Sequence, residues 1–289
     1  MALFILNGGG APFTKPPLGY QFATGSSVLK PLQIPSSLTL CTWNVNGIKA
    51  SLGKGLLDYL RETEPDVVAI QETKTNAPVP DVVLPGYQAE WCFAEKPGYS
   101  GTLCIFKEKP LAVTRGLGNT RLDSEGRLIT LEYPSHYFIC VYVPNSKGGL
   151  DRWYYRLDWD KAFLEYLETL QDRKPVIVGG DLNVARSYID VYPENLLEAD
   201  PHGFLTEERD GLNALLEMGL VDVFRELHPD LEGAYSWWSS RMNRRSENKG
   251  WRLDYFLASA QLLPRVRSCK IRPDVFGSDH APIELVITL

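Results

Sequence analysis

Several things are scarce in this 289-residue chain, and each scarcity excludes something. Cysteine occurs five times, as Cys41, Cys92, Cys104, Cys140 and Cys269. No two lie at zinc-ligand spacing, and an odd, dispersed set makes no complete disulfide framework. Buried thiols in a reducing compartment are expected. No apolar run approaches the ~20 residues of a membrane span, so no membrane partner is expected. Leu3 to Leu6 is apolar, but no basic region precedes it and glycine follows, which is not the form of a secretory signal. An intracellular location is expected: cytoplasmic in a prokaryote, nuclear or organellar in a eukaryote. A basic excess is also lacking, since the formal net charge is -6. That average conceals segregation. From Arg241 to Arg252 there are five basic residues and one acid, whereas from Ser187 to Asp210 there are seven acids and one arginine.

Hydrophobic residues make up 44% of the chain, enough for a sizeable core in one large domain or two small ones. Residues 1–37 differ from the rest. They carry Gly8-Gly9-Gly10, Pro12, Pro16-Pro17, Gly19, Gly25, Pro31 and Pro35, which reads as a flexible or irregular extension. From Leu38 onward the pattern is regular. Strands are expected at 38–43, 67–70, 101–106, 128–133, 137–143, 175–180, 251–257 and 281–288, and helices at 56–62, 153–170 and 211–218. Strands outnumber helices, and many connections are too short for crossover helices. The expected fold is α/β (α+β), a four-layer sandwich of two packed, mostly antiparallel sheets flanked by helices.

Polar constellations end several of the apolar runs. Glu72 closes the run from Val67 to Ile70, where a carboxylate needs either an ion pair with Lys74 or an arginine, or a hard cation such as Mg²⁺. Asn44 and Asn46 stand at i and i+2, and so share a face if the strand continues. Asn44 can orient a ligand carboxylate, and Asn46 can touch the cation or its waters; a turn before Gly47 is the bland alternative. Asp181 and Asn183 repeat this relation after Gly179-Gly180. A local turn is again the alternative, against a role in holding and activating water. Of the four histidines, His136, His202 and His228 read as structural. His280 follows Asp279 and has Asp254 on a nearby apolar strand. An aspartate on one ring nitrogen would favour imidazolium and leave the other nitrogen for a phosphoryl oxygen, while Asp279 would complete the metal site. Tyr142 and Asn145 flank Val143-Pro144; both can be structural, or Tyr142 can donate to the reacting centre or accept as phenolate. Hard oxygen ligands, a water activator and a charge-stabilising donor are what metal-assisted phosphodiester hydrolysis requires.

Eight motifs occur in one order: Trp43 to Gly47, Gln71 to Lys74, Tyr99-Ser100-Gly101, Glu125-Gly126-Arg127, Tyr142 to Asn145, Gly180 to Asn183, Gly250 to Phe256 and Gly277 to Pro282. Together they resemble the exonuclease III family of abasic-site endonucleases, within the endonuclease/exonuclease/phosphatase superfamily, over nearly all of residues 38–289. The resemblance implies incision 5′ to abasic sites, with 3′-phosphodiesterase or 3′→5′ exonuclease side activity. Mg²⁺ is the implied cofactor, with Mn²⁺ able to substitute. The implied partner is duplex DNA carrying abasic sites or blocked 3′ ends, met by a monomer. Trp237, Trp251 and Leu253 match the family's apolar pocket for a flipped, base-less sugar, while Trp238 is assigned to the core. Tyr99 and Arg127 are expected on the DNA backbone or minor groove, and Arg241 where relatives insert a side chain into the duplex. Asn46 departs from relatives that carry aspartate there, and the acidic stretch 187–210 departs from basic or Asn-rich loops. The competing implications are a 3′-end-trimming nuclease with weak abasic preference, a non-DNA phosphoesterase, and a catalytically silent DNA-binding protein.

Overall fold

The computed structural model describes residues 37–147, 149–197, 201–240 and 243–289. The expectation for residues 1–37 falls outside them, apart from Ser37, which opens the first strand. In chain order the strands are β1 (Ser37–Asn44), β2 (Val67–Gln71), β3 (Gln88–Cys92), β4 (Thr102–Phe106), β5 (Ala112–Arg115), β6 (Leu128–Glu132), β7 (Tyr137–Tyr142), β8 (Val176–Asp181), β9 (Leu220–Asp222), β10 (Asp254–Ser259), β11 (Val266–Ile271) and β12 (Ile283–Thr288). The helices are α1 (Ile48–Leu52), α2 (Leu56–Thr63), α3 (Thr120–Asp123), α4 (Leu150–Gln171), α5 (Thr206–Glu217) and α6 (Val223–Leu227). None is long and apolar enough to cross a membrane among the described residues.

The strands form two six-stranded sheets, ordered β11-β12-β1-β2-β4-β3 and β5-β6-β7-β8-β10-β9. Each has one parallel pair, β1 with β2 and β7 with β8, and every other pairing is antiparallel. The parallel pairs are joined through α1–α2 and through α4, as parallel neighbours require a crossover. Both sheets therefore share one pattern of strand neighbours and pairing senses, although no repeat is visible in the residues.

Three apolar clusters make the layers. One lies between the sheets and draws Leu40, Ala69, Phe106 and Leu285 from the first, and Leu131, Phe138, Ile177 and Phe256 from the second. A second packs Trp159, Phe163 and Leu167 of α4 and Leu212 of α5 on the outer face of the second sheet. The third packs Leu56, Tyr59 and Leu60 of α2 on the outer face of the first. The result is the helix–sheet–sheet–helix sandwich expected. Two glycines are needed on β8: a Cβ at Gly180 would run into the carbonyl oxygen of Val141, and one at Gly179 would meet the Phe256 ring at 2.8 Å. Some boundaries move. α5 starts at Thr206 rather than 211, because Glu208 accepts the backbone N–H groups of Gly203 (2.7 Å) and Leu205 (3.1 Å) at its entrance. Trp251 stands before β10, in isolated bridges to Val191 and Trp237.

Candidate active site

The two parallel pairs end at the same place. Asn44 closes β1, Glu72 follows β2, Tyr142 closes β7 and Asp181 closes β8. At these ends the backbone turns sharply: Asn46, Glu72 and Asn183 sit at φ of 47°, 54° and 49°. That left-handed region is sparsely populated by non-glycine residues and costs of order 1–3 kcal/mol each. It persists because the turns are held on both sides. Gly47 N donates to Glu72 O (2.8 Å), Thr73 N to Gly101 O (3.1 Å) and Lys74 N to Ser100 O (2.9 Å).

Asn44 is the hub. Its Nδ2 donates to Glu72 Oε1 (2.9 Å) and to Asp181 Oδ2 (2.8 Å), and its Oδ1 accepts from Asn46 N (3.0 Å). The amide is wholly buried and bridges the carboxylates of the two sheets. The Glu72–Lys74 ion pair offered by the sequence is present at 2.8 Å. Lys74 Nζ also donates to Asn46 Oδ1, and Asn46 Nδ2 donates to Asp279 Oδ1 (3.0 Å). A positive charge is thus already cradled between Glu72 and Asn46. Burial would raise the Glu72 carboxyl, but the Lys74 charge and the bonds from Asn44 and Tyr142 hold it below the usual range. Asp279 is likewise held low, against its burial, by His280, Trp237 and Asn46.

The other half of the centre is an Asp–His–Asp row. His280 Nδ1 lies 2.8 Å from Asp254 Oδ2, and its Nε2 lies 3.9 Å from Asp181 Oδ2. Burial alone would lower the imidazole, yet the Asp254 charge and hydrogen bond push it up to about 10. The ring is a cation near neutral pH. Asp181 is raised to about 7 by burial and by the Asp254 charge, against the opposing pull of His280 and Asn44. Asn183 N donates to Asp181 Oδ1 (2.8 Å), and Asn145 Nδ2 to Asn183 Oδ1 (3.2 Å), so both asparagines join the row. Ligand atoms of Glu72, Asp181 and His280 fall within 4.8 Å of one another, close enough to hold a metal ion. Of these, the carboxylate oxygens of Glu72 and Asp181 suit a hard cation, and Asp279 joins them through Asn46.

Tyr142 turns its hydroxyl to Glu72. Burial and the Glu72 charge push its phenol well above the usual value, and its Oη donates to Glu72 Oε1 at 2.6 Å. It holds the Glu72 carboxylate. Arg127 differs more from expectation. The side chain is 2% exposed, with its guanidinium 4.3 Å from the Tyr142 ring centroid. It donates to Glu125 Oε2 (2.6 Å) and Tyr142 O (3.0 Å). Its charge therefore supports the Tyr142 wall instead of facing outward, whereas the half-buried Tyr99 lies on the surface side, with Lys96 5.2 Å from its ring centroid.

Next to the polar centre, Trp251 and Leu253 pack with Ala185, Val191, Phe204 and the partly buried Trp237. Trp238 packs separately with Tyr235 and Ala281. The two groups share residues: Trp237 Nε1 donates to Asp279 Oδ2 (3.1 Å), and Leu253 precedes Asp254. Under the cluster lies a buried charge network. Arg252, without exposure, donates to Asp190 (2.7 Å) and Asp222 (2.7 Å), and Arg225 donates to Asp190 (2.7 Å). Replacing one partner leaves a buried charge uncompensated, so Arg252→Met should lower unfolding free energy by about 3–5 kcal/mol. Urea denaturation checks this, and a loss below about 1 kcal/mol would mean the network does not hold the loop.

The acidic stretch is less outward-facing than its count implies. Asp190 and Glu208 are buried and bonded, and Glu194 pairs with Lys249 at 3.3 Å. Glu198, Asp200 and Arg241 lie outside the described residues. Sequence reasoning missed Ser236, Trp43 and Arg156. Ser236 bonds Asp254 (2.7 Å), Trp43 Nε1 holds the His280 carbonyl (3.0 Å), and Arg156 holds the carbonyls before Asn145 and Asn183 (2.9 and 3.2 Å). Only Trp43 lay inside a noticed motif.

The chain matches the model of the Endonuclease/Exonuclease/phosphatase family over residues 41–280. It is 44% identical over 253 residues to an exodeoxyribonuclease of Bacillus subtilis, covering 87% of this chain and 100% of that protein. It is 43% identical over 259 residues to the DNA repair nuclease APEX1 of Danio rerio, covering 88% and 83%. Among solved structures, the AP endonuclease LMAP from Leishmania major superposes with a TM-score of 0.78 at 33% identity, covering 88% of each chain.

Proposed function

Because the chain belongs to the Endonuclease/Exonuclease/phosphatase family, we propose that it is a DNA repair endonuclease acting on abasic sites in duplex DNA. It hydrolyses the phosphodiester 5′ to the lesion, leaving a 3′-hydroxyl and a 5′-deoxyribose phosphate, and works inside the cell as a monomer. The observation that carries this reading is the shared wall between the apolar cluster and the polar centre. Trp237 belongs to the cluster and donates to Asp279. An apolar wall beside the polar centre would suit a bare deoxyribose better than a nucleotide with its base.

A hard divalent cation, Mg²⁺ with Mn²⁺ as substitute, would be held by Glu72 and Asp279 with Asn46 beside them and Asn44 orienting Glu72, and supplies charge neutralisation on the phosphate. Asp181 takes a proton from the attacking water, with Asn183 and Asn145 holding the reacting groups. The water oxygen bonds to phosphorus, the P–O3′ bond breaks, and the departing O3′ takes a proton from solvent to become the 3′-hydroxyl. His280, held by Asp254, donates to the phosphoryl oxygen as its charge grows. Tyr99 contacts the backbone, and Arg127 stiffens the wall behind it.

Two expectations follow from these roles. Glu72→Gln should lower turnover about 100-fold while DNA affinity changes little; equal losses in both would remove Glu72 from the chemistry. The pH profile should be bell-shaped, because Asp181 must be ionised and His280 protonated. Activity should rise through an acid limb at or below about 7, since a bound cation further favours the carboxylate. It should fall through an alkaline limb near 10. Single-turnover rates across pH check both, and an alkaline limb near 6.5 would contradict a charged His280.

A second reading, 3′-end processing, is favoured by the exodeoxyribonuclease relative of Bacillus subtilis. The deciding comparison uses three duplexes, one with an abasic analogue, one undamaged and one with a 3′-blocked nick, each with Mg²⁺ or EDTA. Metal-dependent incision of the first at the highest rate supports the endonuclease. Activity confined to the nick or to undamaged ends moves the protein to end processing.

A further inference from the structure

Ser236 is wholly buried and its hydroxyl is fully used. Oγ donates to Asp254 Oδ2 at 2.7 Å and accepts the backbone N–H groups of Leu253 and Asp254, each at 3.0 Å. The oxygen it holds is the one that receives His280 Nδ1 at 2.8 Å. The other oxygen, Oδ1, is buried and has no hydrogen-bond partner among the described residues. Nothing on Oδ1 therefore fixes the rotation of this carboxylate; Ser236 does so through Oδ2.

The backbone around Ser236 reinforces the arrangement. Ser236 N donates to Trp251 O (2.9 Å) and Ala281 N donates to Ser236 O (2.7 Å), while Trp238 N donates to Asp279 O (3.1 Å). The segment 236–238 is thus stitched both to the strand carrying Asp254 and to the loop carrying Asp279 and His280. Trp237, its middle residue, forms part of the apolar cluster.

We propose that Ser236 is a positioning residue for the reaction, setting the Asp254 carboxylate so that His280 stays aligned, and aligning it with the apolar cluster through its neighbour Trp237. This rests on the phosphodiesterase reading above. Without the hydroxyl the carboxylate can turn, the two N–H groups lose their acceptor, and the imidazole loses its fixed direction.

Three variants separate positioning from packing. Ser236→Thr keeps the hydroxyl, Ser236→Val matches threonine in shape without it, and Ser236→Ala is the smallest change. In abasic-duplex incision, kcat of Ser236→Val and Ser236→Ala should fall roughly 10- to 100-fold, as for other hydrogen-bonded supports of functional histidines. KM should stay within about threefold, and Ser236→Thr should retain kcat within about threefold. A second readout needs no activity. With only four histidines in the chain, ¹⁵N-histidine labelling isolates the His280 Nδ1 proton, a downfield resonance. It should persist in Ser236→Thr and shift or broaden in Ser236→Val and Ser236→Ala. Wild-type kcat with an unchanged resonance in Ser236→Val would overturn the proposal, as would equal losses in Ser236→Val and Ser236→Thr. If the wild-type protein cuts no abasic duplex, the functional reading fails on its own, and the resonance still decides the role of Ser236.

Discussion

Asp181→Asn is expected to reduce the turnover of abasic incision by about 10²- to 10⁴-fold, the range for removing a general base, with affinity for the duplex nearly unchanged. The asparagine fills almost the same space, and its one amide oxygen can accept from Asn44 Nδ2 or from Asn183 N but not from both. It cannot take a proton from water. The native carboxylate suits that task because burial and the facing Asp254 raise it to about 7, near the pH at which it must work. The same perturbation gives a stability signature. A carboxyl raised from its ordinary value of 3.8 to about 7 binds its proton more tightly in the folded state. It therefore opposes folding increasingly as pH rises through that window. At pH 8 the variant should melt at the same temperature as the wild type or higher. A loss of turnover below about tenfold, or a parallel loss of DNA affinity, would remove Asp181 from the role of base.

His280→Asn should show the opposite pairing, with losses of both rate and stability. Removing one donor from a preorganised anion site costs about 10²- to 10³-fold in turnover. The imidazolium here is also the partner of Asp254, which is completely buried and whose Oδ1 has no partner among the described residues. Its loss leaves a buried carboxylate held only by Ser236, and such uncompensated charges destabilise folds by several kcal/mol. A second change, Asp254→Asn, removes that charge. The double variant should regain much of the melting temperature of the wild type but none of its turnover. Recovery of turnover in the double variant would mean that His280 serves structure alone.

What was legible in the sequence follows from where burial is continuous. The eight interior strands announce themselves as apolar runs. The four not anticipated, β3, β5, β9 and β11, are the four edges of the two sheets. Edge strands are covered on fewer sides, and β5 shows it with three exposed residues and one half-buried among four. The period-2 or continuous apolar signal is weakest there. The candidate set was legible because most of its members end buried strands, where a carboxylate or amide is conspicuous. Residues that act by being hidden were not. Arg127 and Arg252 look like surface charges in a string of letters, and Ser236 looks like a turn. Ser236 and His280 are separated along the chain, and only the packing of one sheet on the other brings them to a common carboxylate. The acidic stretch misled for the same reason: net charge by residue count does not say that Asp190 faces Arg252 and Arg225 in the interior.

The central claim is that water, activated at Asp181, attacks the phosphorus on the 5′ side of the lesion. Incision of an abasic duplex by the wild-type protein in H₂¹⁸O, followed by mass spectrometry of both new ends, tests it most directly. The account predicts one ¹⁸O in the 5′-deoxyribose phosphate and none in the 3′-hydroxyl end. A 3′ end carrying an unsaturated sugar, or label on the 3′ side, would contradict it.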